Sequence, residues 1–86
     1  MAPYAAAKSG MARIVEALSE EQRPRRIRIN RIAPTFIDTS RNRAEMPDAN
    51  PADWTKPDAI ADVIAFLLSP QSRAINGALL PVTNNA

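Results

Sequence analysis

Tyr4 and Lys8, separated by Ala5-Ala6-Ala7, bring a phenol and an ammonium to one face of a helix, one turn apart. The alanines favour the helix and leave both polar tips unobstructed. A phenol can donate a proton, and a neighbouring cation favours the phenolate left behind. Such a pair is a usable general acid or base for a carbonyl or a hydroxyl. The same spacing also fits a plain amphipathic face on which Lys8 snorkels its charge to water. The surrounding chain has to decide between the two.

The elements that position the pair follow from periodicity and punctuation. Pro3 suits the first turn of a helix. Tyr4, Ala7, Lys8, Met11, Ile14 or Val15, and Leu18 then recur at helical spacing, which predicts a helix over 3–23 that Pro24 ends. Gly10 costs that helix about 1 kcal/mol against alanine, so a close helix neighbour, in this chain or another subunit, is expected there. Ile27 and Ile29 alternate with polar residues and predict a strand over 26–33. Residues 34–55 are polar and proline-rich, with apolar anchors at Met46 and Trp54. They read as a turn and a lid, or as a solvated loop pinned by Trp54.

Thr55 caps the next helix, with Asp58 completing a capping box and Pro57 in its first turn. Ile60, Val63, Ile64, Leu67 and Leu68 form its apolar stripe, which predicts a packing helix over 56–69. Residues 77–82, Gly-Ala-Leu-Leu-Pro-Val, read as a buried last strand. Pro81 places that strand at a sheet edge or puts the residue at the strand's end. All of this makes at most one small domain, over 1–86.

Composition removes several kinds of chemistry. With no cysteine there is no disulfide or thiol chemistry, and with no histidine there is no His-based triad and no zinc site of the usual kind. No metal is implied. No run approaches the ~20 apolar residues of a membrane span, and no segment reads as a signal peptide. The expected setting is a reducing, cytoplasmic one. The arginines of residues 23–31 raise a nucleic-acid reading. No aromatic residue is interleaved for base stacking, and a strand edge gives those charges an ordinary solvated face.

In this order, helix, strand, lid, helix and strand resemble the C-terminal part of a short-chain dehydrogenase/reductase. Tyr4-x-x-x-Lys8 resembles that family's active-site pair, with Ser9-Gly10 on the same helix. Residues 27–34 resemble the strand and turn that follow, and residues 77–82 the family's last strand. The implied fold is α/β, the C-terminal half of a Rossmann-like doubly wound sheet, incomplete here.

By this resemblance Tyr4 supplies the proton during hydride transfer, and Lys8 holds the ribose hydroxyls of an NAD or NADP cofactor. Pro34, Ile37 and Thr39 fall where the nicotinamide is held, with Thr39 and the Ile37 backbone orienting its carboxamide. The lid, with Asn42, Met46 and Trp54, closes over the substrate. Residues 38–43, 46–49 and 54–55 are similar to the dihydropteridine reductase branch, which implies a quinonoid dihydropterin substrate.

Thr35 departs from the family, which has glycine after the proline, and a β-branched residue disfavours a positive backbone dihedral there. The glycine-rich phosphate loop is missing as well, and the chain has only two glycines, neither in such a setting. Ser9 does not replace the family's catalytic serine, because it follows Lys8 directly and points to another side of the helix.

The expectation is therefore a fragment of an NAD(P)-dependent oxidoreductase acting on a carbonyl or imine-type small molecule, inactive alone. The alternative is a non-catalytic association module. It would pair with another copy, or with a complementary half, through strand edges and apolar helix faces.

Overall fold

The computed structural model describes all 86 residues. A long helix, α1 (Ala2–Glu21), opens the chain with proline in its first turn. A 3-10 turn, Arg23–Arg25, contains Pro24 and is followed by Arg26 in the left-handed region at φ 60°. Then come β1 (Arg31–Pro34), α2 (Ser40–Glu45), a 3-10 turn at Pro51–Asp53, and α3 (Pro57–Leu67). A last 3-10 turn, Pro70–Ser72, leads to β2 (Leu79–Val82). The two strands pair in parallel, Arg31 opposite Leu79 through Pro34 opposite Val82, with α3 in the crossover.

The first strand is shorter than the alternation of isoleucines predicts. The left-handed residue at Arg26 bends the chain just before it. Ahead of β1, side-chain amides take over part of the pairing. Asn30 donates to the Ile75 carbonyl at 3.1 Å and accepts from the Ala78 N–H at 3.0 Å. Asn76 accepts from the Ile29 N–H at 3.0 Å. Arg28 points elsewhere, donating to the Ser72 carbonyl and Oγ at 2.7 and 2.8 Å, and so ties this segment to the 3-10 turn that follows α3. Part of the arginine run is thus committed inside the chain. Arg23 pairs with Glu20, and Arg31 stands 3.8 Å from Glu16.

Within the 34–55 stretch α2 forms, capped by the Thr39 side chain accepting from the Asn42 N–H at 3.1 Å. Two further expectations are corrected. Thr55 does not cap α3, whose N-cap is Lys56 without a side-chain bond. The Thr55 hydroxyl instead donates to the Val82 carbonyl at 2.8 Å, joining the lid's end to β2. The last strand is half-buried rather than buried, with Leu79 and Pro81 on its exposed side.

Only Ser19, Trp54, Thr55 and Ser72 are buried, so the core sits at the base of the lid and not on the helix faces. Met11, Ile14 and Leu18 of α1 lie open, as do Ile64 and Leu68 beside α3. Nothing lies within 4 Å of the position a Cβ would take at Gly10, so no neighbour in this chain accounts for that glycine. Gly77 does have a local reason. At φ +73° a Cβ there would lie 3.0 Å from Ser19 Oγ, where α1 meets the loop before β2. The radius of gyration, 15.4 Å, exceeds the ~12 Å of a compact chain of this length. A two-stranded sheet with bare helix stripes is thin, and the principal extents are 48 × 34 × 18 Å. No helix is long and apolar enough to cross a membrane.

Candidate active site

The alanine-rich first turns of α1 keep Tyr4 and Lys8 in helical register, and the two side chains meet. The Lys8 Nζ stands over the Tyr4 ring, 5.7 Å from its centroid, a cation–π arrangement. Tyr4 is 59% exposed, so the phenol is open to a ligand and not sealed among aliphatic side chains. Both line a cleft of about 530 Å³ between α1 and the strands, together with Met11, Arg31, Pro34 and Leu79.

Arg31, which strand alternation places on a solvated edge, is a cleft residue. Its Nε is buried without an acceptor. Its nearest carboxylate, Glu16, is already held by Arg13 at 3.0 Å. Strand alternation gives no signal for this, because it does not say which face of the strand α1 covers.

Pro34 lies in the cleft, while Ile37 and Thr39 stand beyond it at the start of the lid. Ile37 bridges to Thr55 in parallel, through Thr55 N–H to the Phe36 carbonyl at 3.0 Å and Asp38 N–H to the Thr55 carbonyl at 2.9 Å. This pairing leaves the Ile37 N–H without an acceptor in the chain. Its carbonyl accepts from the Asn42 side chain at 2.8 Å. The Thr39 oxygen accepts from the Asn42 N–H, which leaves the hydroxyl proton free to donate. The Ile37 N–H and the Thr39 O–H are thus two free donors, two residues apart.

Of the residues expected to face a substrate, Asn42 is committed to Ile37, and Met46 is half-buried at the end of α2. Trp54 is turned into the base of the lid, 5% exposed, with its ring centroid 6.0 Å from that of Phe36. A flat apolar ring finds its largest burial there, so it anchors the lid and does not line the cleft.

Asp38 carries the densest charge cluster in the chain. Its carboxylate accepts from Arg43 Nε and Nη2 at 2.6 and 2.9 Å and from Lys56 Nζ at 2.6 Å. The Arg43 hydrogen bonds, then the Lys56 bond, hold this carboxyl well below the usual carboxylate range. A depressed native value stabilises the fold above the unfolded value of ~3.9, and that stability is lost as pH falls toward the native one. The difference in urea midpoint between the wild type and Asp38→Asn is therefore expected to be full at neutral pH and to shrink below about pH 4. A difference that is constant down to strong acid contradicts this reading.

The family profile described as Enoyl-(Acyl carrier protein) reductase matches residues 1–84 of this chain. The chain belongs to the short-chain dehydrogenase/reductase family. Among curated relatives, a 3-oxoacyl-(acyl-carrier-protein) reductase from Chlamydia muridarum is 40% identical over 88 residues, covering 92% of this chain and 35% of the relative. The chain thus spans about a third of the length of the short-chain dehydrogenases and reductases it matches. An oxidoreductase of the family from Burkholderia thailandensis superposes with a TM-score of 0.78 at 31% identity, over 95% of this chain and 37% of that one. The carveol dehydrogenase of Mycobacterium avium, solved with NAD, gives 0.74 at 27% identity, over 92% of this chain and 37% of its own. These matches make the α/β reading and the nicotinamide association of the family plain. They do not single out the dihydropteridine reductase branch.

Proposed function

We propose that this chain supplies the proton-donating side and the lid of an NAD(P)-dependent carbonyl reductase, working with a phosphate-binding unit that these residues do not contain. The observation that carries the reading is the open Tyr4 phenol beneath the Lys8 ammonium, on a cleft that also contains Pro34. A reduced nicotinamide, when bound, would supply the hydride for the carbonyl carbon. The Tyr4 hydroxyl gives its proton to the carbonyl oxygen, so that C=O becomes CH–OH. Lys8 donates to the ribose hydroxyls and offsets the negative charge left on the phenol. The Ile37 N–H and Thr39 hydroxyl hold the carboxamide, and the lid from Ser40 to Thr55 excludes water.

A 3-oxoacyl thioester is the first substrate class, after the printed name of the Chlamydia muridarum relative. A quinonoid dihydropterin is the second, supported by the lid residues 38–43, 46–49 and 54–55. A second reading, association with another copy or a complementary half, is favoured by the bare stripes of Met11, Ile14 and Leu18 and of Ile64 and Leu68.

One set of measurements tests both readings. The isolated chain is expected to show no calorimetric binding of NADH or NADPH, no oxidation of either, and self-association by sedimentation. A chimaera in which this chain replaces the matching 35% of the Chlamydia muridarum reductase is expected to oxidise one of them when a ketone is present. Micromolar cofactor binding by the chain alone contradicts the divided site. A folded but inactive chimaera contradicts the reductase reading, and a well-folded monomer contradicts association.

A further inference from the structure

We propose that Asp38 is a positioning residue that latches the lid and thereby sets the direction in which Ile37 and Thr39 face. Both ends of the lid converge on its one carboxylate. Arg43 comes from within α2, at the lid's beginning, and binds through two nitrogens. Lys56, the N-cap of α3, comes from the lid's end. The same ammonium reaches the Pro51 carbonyl at 3.4 Å, so the 3-10 turn Pro51–Asp53 is drawn to the same point.

Isolated surface ion pairs contribute little, since solvent screens them and long side chains lose freedom in forming them. This carboxylate differs. Its side chain is 9% exposed, the arginine grips it with both oxygens engaged, and its own backbone N–H is held by Thr55. Where the backbone is extended, successive side chains point to opposite faces. Thr39 is extended, at φ −123° and ψ 157°, so fixing Asp38 toward Arg43 and Lys56 turns the Thr39 side chain the other way, while the bridge to Thr55 holds the Ile37 backbone beside it. Their service to a carboxamide rests on the proposed function, whereas the latch stands on the lid's own geometry.

Amide hydrogen exchange in the full chain tests the latch. The reporters are the Asn42, Arg43 and Met46 N–H groups, whose acceptors all lie in or beside α2. The controls are the Gln22 and Leu68 N–H groups at the ends of α1 and α3. Asp38→Asn is expected to speed the reporters about ten- to hundredfold while the controls stay within about twofold, as loss of a charged hydrogen-bond node opens only its own segment. Arg43→Gln and Lys56→Met, taken singly, are expected to give smaller increases, and Asp38→Glu to restore most of the protection. The proposal is overturned by unchanged reporters, by controls that accelerate equally, or by failure of the glutamate to rescue. These readouts concern the lid alone, so a failed latch leaves the Tyr4–Lys8 reading to the chimaera assay, and the reverse.

Discussion

Tyr4→Phe is expected to lower the ketone-reduction kcat of the chimaera by about 10²–10⁴-fold, the range that a positioned proton donor contributes. This corresponds to about 3–5 kcal/mol of barrier. The substitution keeps the ring under Lys8 and removes only the hydroxyl, so the cation–π contact and the helix survive. Cofactor KM is expected to stay within about twofold, because the lost interaction belongs to the transition state and not to ground-state binding. Lys8→Met is expected to behave differently, lowering kcat and raising cofactor KM together, since one ammonium serves both the ribose and the phenol. Steady-state kinetics of the two variants separates these patterns. Identical effects from both would mean that the pair matters only for helix packing.

Trp54→Ala carries the largest expected effect on stability. Trp54 is the one buried hydrophobic residue, and its ring packs at 42° to that of Phe36. Truncating a buried Trp costs about 3–5 kcal/mol. A chain of this size has only ~4–13 kcal/mol in total. The bridge between Ile37 and Thr55 lies next to the two rings, Ile37 following Phe36 and Thr55 following Trp54 in sequence. The expected result is loss of exchange protection at the Asp38 and Thr55 amides, with a lower urea midpoint. Trp54→Phe is expected to recover part of both. Retention of the bridge amides in the alanine variant would show that the lid is held by Asp38 alone.

The parts legible in the sequence are those governed by local spacing. The pairing of Tyr4 with Lys8 follows from one helical turn, and α3 follows from Pro57 and the apolar stripe that Ile60 begins. The parts that were not legible depend on contacts distant in sequence. Thr55 has the chemistry of an N-cap, yet its hydroxyl serves Val82, 27 residues away. Residues 27–30 alternate like a strand, but the Asn30 side chain bonds the backbone of Ile75 and Ala78, the Asn76 side chain accepts from the Ile29 N–H, and Arg28 leaves for Ser72. Asp38 and Arg43, five apart across the start of α2, carry no helical i,i+4 signature. Their meeting needs the turn capped by Thr39. Arg31 reads as one more solvated charge, and only the placement of α1 over β1 brings it into the cleft.

The most direct measurement is a single turnover followed at the nicotinamide absorbance, with the chimaera carrying bound reduced cofactor and mixed rapidly with a 3-oxoacyl thioester. The account predicts a fast decay with Tyr4 present and a decay slowed at least about a hundredfold with phenylalanine in its place. Equal decay rates for the two proteins would contradict it, because the proton would then be coming from somewhere other than this phenol.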